Sequence, residues 1–241
     1  MTLRIGTAGW TIPPGYADRF PDDGSHLARY ARVANAVEIN SSFKKTHRPS
    51  TYRRWGESVP ADFRFSVKLP KEITHVRRLV DVEEPLGIFL EGVRELGNKL
   101  GPLLVQLPPS LLYGPGVAAA FLNLLRERFD GAVVLEPRHA SWFEEGADGI
   151  LERWKVSRAA ADPANVEGAG EPGGRKELVY YRLHGSPVMY RSPYSRAFLE
   201  RLAARLGEWG DEIERWVIFD NTAEAQAVPN ALDLMDYTKG R

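Results

Sequence analysis

Short apolar runs recur along the chain, and each ends in polar residues. They are "LRIGTAGW" (3–10), "AVEIN" (36–40), "FRFSVKL" (63–69), "PLLVQLP" (102–108), "AVVLEPRH" (132–139), "SRAAAD" (157–162), "LVYYRLHG" (178–185) and "RWVIFDN" (215–221). Their length and their β-branched and aromatic content predict eight strands. Helical periodicity fills most of the gaps. Leu27, Tyr30, Ala31 and Ala34 share a face of 25–35, as do Phe89, Val93, Leu96 and Leu100 of 85–101, where Gly101 reads as a stop. Segments 116–129, 141–154, 195–209 and 221–235 predict further helices, with Ser192-Pro193 as an N-cap and N1 pair. After the sixth strand the pattern fails: "PANVEGAGEPGGRK" (163–176) is rich in Gly and Pro and predicts a flexible loop.

Strand and helix alternate without a dividing linker, which predicts a parallel sheet covered by helices. Eight units in 241 residues fit a single domain over 1–241, an α/β chain folded as one (β/α)8 TIM-type barrel with an irregular, helix-poor sixth unit. An open doubly wound sheet fits less well, because "GTAGW" (6–10) lacks the G-x-G-x-x-G spacing and no Walker-type turn occurs.

Composition narrows the chemistry. Lys+Arg and Asp+Glu are 32 each, so zero net charge gives no overall pull toward nucleic acid or anionic membrane. The absence of cysteine excludes disulfides, thiolate nucleophiles and Cys-ligated zinc or iron–sulfur centres. The start "MTLRIGTAGW" has no signal-peptide organisation, and no apolar run approaches the roughly 18 residues of a span. A cytoplasmic chain with no membrane contact is expected. No pattern fixes an oligomeric state.

In a strand, side chains two apart share a face. Glu136 and Arg138, Glu38 and Asn40, Ser66 and Lys68, and Arg182 and His184 are such pairs, while Gln106 and Asn221 add single polar groups at the ends of strands four and eight. Parallel strands of a barrel bring these C-terminal ends to one mouth, where barrel sites lie. Building that array for stability alone is costly, since buried ion pairs offset their desolvation poorly. Counting Glu38 and Glu136 against Lys68, Arg138 and Arg182, with His139 and His184 able to add charge, the mouth reads as mildly cationic and suits a phosphate, carboxylate or sulfate group. The loop 184–194 adds Tyr190, Arg191 and Tyr194, of which Arg191 reads equally well as an ordinary solvated residue.

The ordered blocks "IGTAGW" (5–10), "VEINSSF" (37–43), "FSVKLPKEITH" (65–75), "LGPLLVQLPPS" (100–110), "EPRHASW" (136–142), "YRLHG" (181–185) and "DNTAEAQAVPNA" (220–231) resemble the YecE-like family, domain of unknown function 72. The resemblance covers nearly the whole chain. It implies a TIM-type barrel of bacterial and archaeal cytoplasmic proteins, with no established reaction. It singles out Glu38, Asn40, Lys68, Thr74, His75, Gln106, Glu136, Arg138, His139, Arg182, His184 and Asn221. Lys44 stands where family members often carry an aromatic, and no second Trp follows Trp10 closely. Both departures touch the rim of the pocket.

The favoured reading is a small anionic ligand, phosphorylated, carboxylated or sugar-like. Glu38, Glu136 and His184 would carry acid/base catalysis of a hydrolase or lyase/isomerase type. Asn40, Lys68, His75, Gln106, Arg138, His139, Arg182, Tyr190 and Asn221 would bind the substrate. Two carboxylates could also cleave glycosides if suitably separated. Lys68 could act as a base or form a Schiff base, although a lysine near two glutamates tends to pair with them. No cofactor is expected. A divalent metal on Glu38, His75, Glu136, His139, Asp162 or His184 is disfavoured by the cations in the same mouth and by the lack of a paired-His motif. The alternative is a non-catalytic or nucleic-acid-associated protein using the same mouth plus "SSFKKTHRPSTYRR" (41–54), where Lys44, Lys45, Arg48, Arg53 and Arg54 alternate with Phe43 and Tyr52. His26 and His47 read as surface residues.

Overall fold

The computed structural model describes residues 3–144 and 146–239. Within them the order is β1 (Leu3–Thr7), α1 (His26–Tyr30), β2 (Ala36–Ile39), α2 (Pro49–Glu57), β3 (Arg64–Lys68), α3 (Glu83–Arg94), β4 (Leu100–Gln106), α4 (Pro115–Arg128), β5 (Val133–Glu136), α5 (Ala147–Arg153), β6 (Val156–Arg158), β7 (Ala160–Asp162), β8 (Gly173–Gly174), β9 (Leu178–Leu183), α6 (Arg196–Glu208), β10 (Glu214–Phe219) and α7 (Ala227–Thr238). The expected alternation is present, with shorter elements. Helix α1 ends at Tyr30, and the segment 141–154 divides into a 3-10 turn, Ala140–Phe143, and α5, separated by Gly146 at φ +94°. Helix α3 stops at Arg94, ahead of Gly97 at φ +56°, which frees Leu100 to open β4. Helix α2, absent from the predicted set, begins on Pro49 at N1 and buries Tyr52.

Hydrogen-bonded ladders form two sheets, ordered β1-β10-β9-β7 and β2-β3-β4-β5-β6-β8. Pairing is parallel except for β6 with β8. This α/β arrangement of parallel sheets and covering helices is the expected class, but the ladder itself is interrupted twice. Between β1 and β2, side chains stand in for it: Ile5 N donates to Asn35 Oδ1 at 3.0 Å and Asn35 Nδ2 to Leu3 O at 2.8 Å. The Tyr30 hydroxyl accepts from Thr7 N at 2.9 Å and donates to Ala36 O at 3.2 Å. Further along, Gly9 N reaches Glu38 O at 2.9 Å and Ala8 bridges Glu38. Gly6 is required there, since a Cβ would stand 2.1 Å from Ala36 O. The second interruption falls at Ala159, where the sixth unit passes from β6 in one sheet to β7 in the other.

The sixth unit is helix-poor, as expected. Instead of a helix, Gly173 and Gly174 lie antiparallel to Arg158 and Ser157. Gly174, at φ +62°, leaves no room for a side chain: a Cβ would meet Val156 O at 2.4 Å. The vacated position leaves a hollow of about 330 Å³ against β7, β9 and α6, lined in part by Asp162, Tyr181, Arg201 and Arg205.

The two sheets share one inner core. Ala36, Leu104, Val134, Ala159, Leu178, Tyr180, Trp216 and Ile218 pack together, with Tyr180 stacked on Trp216 at 6.0 Å. Outside the strands, Phe89, Phe121, Leu125 and Leu199 belong to the buried layer under the helices. Below the inner core Arg4 is held by Glu214 at 3.2 Å and by Asp62 O at 2.8 Å. Above it, the strand C-termini carry the polar layer.

Candidate functional site

Strand parity builds that layer. Tyr180, Arg182 and His184 alternate inward from β9, Trp216, Ile218 and Asp220 from β10, and Ser66 and Lys68 from β3. Arg182 is fully buried at the centre. Its Nε donates to Glu38 Oε2 at 3.0 Å and its Nη2 to Glu38 Oε1 at 2.8 Å. Nη1 reaches Glu136 Oε2 at 3.1 Å, and Nη2 lies 2.9 Å from Asp220 Oδ2. Burial alone would lower the Arg182 pKa, but Asp220, Glu38 and Glu136 outweigh it and hold the guanidinium firmly protonated. Tyr180 closes the floor, donating to Glu38 Oε2 at 3.1 Å and meeting Ser66 Oγ at 2.9 Å.

Glu38 and Glu136 therefore lie at the same end, on one arginine. Glu136 is also fully occupied. Its Oε1 accepts from Arg138 Nε at 2.7 Å and faces His184 Nε2 at 3.0 Å, while its Oε2 faces Arg182. Burial pushes its carboxyl upward, yet Arg182, Arg138 and His184 hold it well below the usual range. His184 Nδ1 faces Asp220 Oδ2 at 3.1 Å and its Nε2 lies 2.9 Å from Arg138 Nη2. Arginine only donates and a carboxylate only accepts, so Nε2 can serve Arg138 or Glu136 but not both, while Nδ1 pairs with Asp220. Three residues expected to catalyse, Glu38, Glu136 and His184, are thus at 0% exposure with their polar atoms already bonded. Asp220 changes the charge count too. With it, three carboxylates balance Arg182, Arg138 and Lys68, so the mouth is not the cationic one read from the residues named earlier.

Lys68 stands apart from this pairing. It is 6% exposed, and among the described residues its Nζ forms no hydrogen bond or ion pair, resting 4.1 Å from the centre of the Phe43 ring. Ser42 Oγ donates to Lys68 O at 2.6 Å and to Ile39 O at 2.8 Å, tying the turn after β2 to the end of β3. Burial and then Arg182 lower the Lys68 pKa to about 8 against the pull of Glu38, Asp220 and Glu136. His75 packs edge-on against the same Phe43 ring at 4.9 Å, its Nδ1 2.8 Å from Thr74 Oγ1. Burial, Lys68 and Arg138 all lower its pKa.

Other expected residues divide. Gln106 is 8% exposed on the inner face, and Asn40 follows β2 directly; neither side chain is hydrogen-bonded among the described residues. Arg138 reaches toward the loop after β9, with Nη1 4.0 Å from Met189 Sδ. Tyr190, at φ +67°, sets its ring 5.6 Å from that of His184. His139 caps the Ala140–Phe143 turn through Ser141 N at 3.2 Å and Ser141 Oγ at 2.9 Å, and bonds to no member of the Arg182 group among the described residues. Asn221 anchors the loop, its Nδ2 donating to Ser192 O and Asn230 Oδ1, both at 3.0 Å. Parity could have told Asp220 from Asn221, because Asp220 follows Trp216 and Ile218 in steps of two.

The basic stretch is less open than its sequence implied. Tyr52 is fully buried, and Phe43 is turned to Lys68 and His75. Arg53 pairs with Glu95 at 2.7 Å. His47 is not a free surface residue: it binds Ser41 Oγ at 2.8 Å and packs edge-on against Trp55 at 4.9 Å. Trp55 in turn meets Trp10 at 5.0 Å. Among the described residues, no group of three His, Asp or Glu side chains is placed to hold a metal ion, and no helix is long and apolar enough to cross a membrane.

These features define an α/β protein whose parallel strands end on a buried, charge-balanced cluster, in which Lys68 has no ion-pair partner among the described residues. The chain belongs to the family described as "Protein of unknown function DUF72", whose model matches residues 4–241. It is 33% identical over 152 residues to the UPF0759 protein YecE of Escherichia coli K12, covering 59% of this chain and 54% of that one. The YecE of Escherichia coli O157:H7 is 33% identical over 125 residues, 51% of this chain and 44% of that one. The chain thus spans about half the length of the curated relatives it matches. Crystal structures of DUF72 family proteins share the fold: one from Enterococcus faecalis V583, with a TM-score of 0.83 at 21% identity over 100% of this chain and 96% of that one, and one from Thermotoga maritima MSB8, with 0.80 at 23% identity over 98% of each.

Proposed function

We propose that the strand C-termini bind a small anion, a compound carrying a carboxylate or phosphate, at the face formed by Lys68, Arg138, Gln106 and His75. The observation that carries this reading is the unpaired Lys68 ammonium. A buried charge without a partner is costly, and a polar ligand oxygen relieves that cost. Arg138 offers the second cation, since among the described residues the hydrogen-bond partner of its Nη1 is the Met189 sulfur at 4.0 Å. Glu38, Glu136, Asp220 and Arg182 act beneath as a fixed electrostatic floor rather than as proton carriers. The two sheets complete one barrel in this reading, supported by the Gly9–Glu38 hydrogen bond and by the continuous run through Ala159; strong protection of the Gly9 amide from hydrogen exchange tests that closure.

The function is tested by calorimetric titration and thermal shift with inorganic phosphate, oxalate and small phosphorylated acids. Wild type is expected to bind and to be stabilised, with the gain lost in Lys68→Met and in Arg138→Ala. Equal stabilisation of all three proteins sinks the proposed face.

A further inference from the structure

Arg182 has a consequence for Lys68. A lysine facing three carboxylates ordinarily forms an ion pair and stays an inert cation. Here Glu38 is bonded by Arg182 and Tyr180, Glu136 by Arg182 and Arg138, and Asp220 by Arg182 and His184. Among the described residues none of them forms an ion pair with Lys68. Its amine rests instead over the face of Phe43, 4.1 Å from the ring centre, on a strand end fixed by Ser42.

We propose that Lys68 is an imine-forming nucleophile and that the ligand is a small aldehyde or ketone bearing a carboxylate or phosphate; this rests on the anion-binding reading of the same face. The Lys68 Nζ lone pair adds to the carbonyl carbon, and the carbonyl π pair moves onto oxygen, which takes up the proton lost from nitrogen. The resulting carbinolamine loses its hydroxyl together with the remaining N–H proton as water, leaving a neutral C=N bond, and the return of water releases the lysine. No oxidant or metal enters the balance. Arg138 and Gln106 would hold the anionic group.

The amine must be neutral to attack. The charged and titratable groups around it are Arg182, Glu38, Asp220 and Glu136, with His75 and Arg138 at the rim. Burial and Arg182 prevail, and a lysine titrating near 8 has a neutral fraction at pH 7 on the order of a hundredfold above that of an ordinary lysine near 10.4.

The test is reductive trapping. The protein is incubated with glyoxylate or dihydroxyacetone phosphate and sodium cyanoborohydride, and modified peptides are mapped by mass spectrometry. Adduct is expected on Lys68 at least about tenfold faster than on the exposed Lys44, Lys45 and Lys71, following its larger neutral fraction. Lys68→Arg cannot form the stable imine and should show no adduct at position 68. Thermal unfolding confirms that this variant is folded, and Lys68→Met serves as an uncharged control checked in the same way. Anion binding by wild type without trapping at Lys68 overturns the imine while leaving the anion reading intact. Trapping at Lys68 without measurable binding of phosphate or oxalate supports the imine and overturns the anion reading. Adduct confined to the exposed lysines overturns the proposal.

Discussion

Arg182 grips Glu38 with two parallel bonds, Nε to Oε2 at 3.0 Å and Nη2 to Oε1 at 2.8 Å, and neither side chain reaches solvent. The pair joins β9 to β2 across the inner core, so one guanidinium links the two sheets. Removing it leaves Glu38, Glu136 and Asp220 buried without their shared cation. Arg182→Met is expected to cost about 3–5 kcal/mol, as for other broken buried pairs. Urea unfolding measures it, and a loss within experimental error of zero would show that the cluster is dispensable.

Glu136 predicts an acid limb. Its folded pKa lies well below that of an unfolded glutamate near 4.3, so the unfolded chain binds the proton first. The stabilisation is fully present above the unfolded value and fades as pH falls toward the folded one. Asp220 is lowered in the same sense, with Arg182 and then His184 overcoming burial. The stability difference between wild type and Glu136→Gln should therefore shrink below about pH 4. Denaturation at a series of pH values follows it.

Lys68 behaves oppositely in kind. Its folded pKa of about 8 lies below the unfolded value, so the folded state is penalised wherever both forms are charged. That penalty is complete below pH 8 and is relieved as pH rises toward that of a free lysine. Lys68→Met should gain stability at pH 7, up to about 3 kcal/mol, and the gain should fade between about pH 8 and 10. A stability difference that stays flat across this range would contradict the buried, unpaired amine.

Tyr30 predicts a different weakness. Its hydroxyl replaces a ladder bond between Thr7 N and Ala36 O. Tyr30→Phe leaves both groups short of a partner and is expected to cost about 1–3 kcal/mol. Faster hydrogen exchange at the Thr7 amide should accompany it, with the β3–β4 ladder unaffected.

The alternation of eight apolar runs with helical stretches made the α/β class legible, and the two-step spacing of Glu136 and Arg138 or Arg182 and His184 identified side chains that do meet. What remained hidden were relations across the sheet. Asp220 and Tyr180 share a face with named residues, yet only the partners brought round by neighbouring strands show that they complete the Arg182 group. Lys68 looked destined for a glutamate, because nothing local reveals that arginine reaches both glutamates first. His139 and Asn221 were polar residues at strand ends that serve turns and loops instead, a difference set by the direction of a single side chain. The break between β1 and β2 was equally out of reach, since Asn35 and Tyr30 belong to the helix and its exit.

The closed accounting around Arg182 also constrains how such chains diverge. Glu38, Glu136, Asp220 and Arg182 sit on four different strand ends but share their charges, so a lineage that loses one acid is left with an excess of base in a dry interior. Substitutions at these positions should covary, changing as sets or not at all.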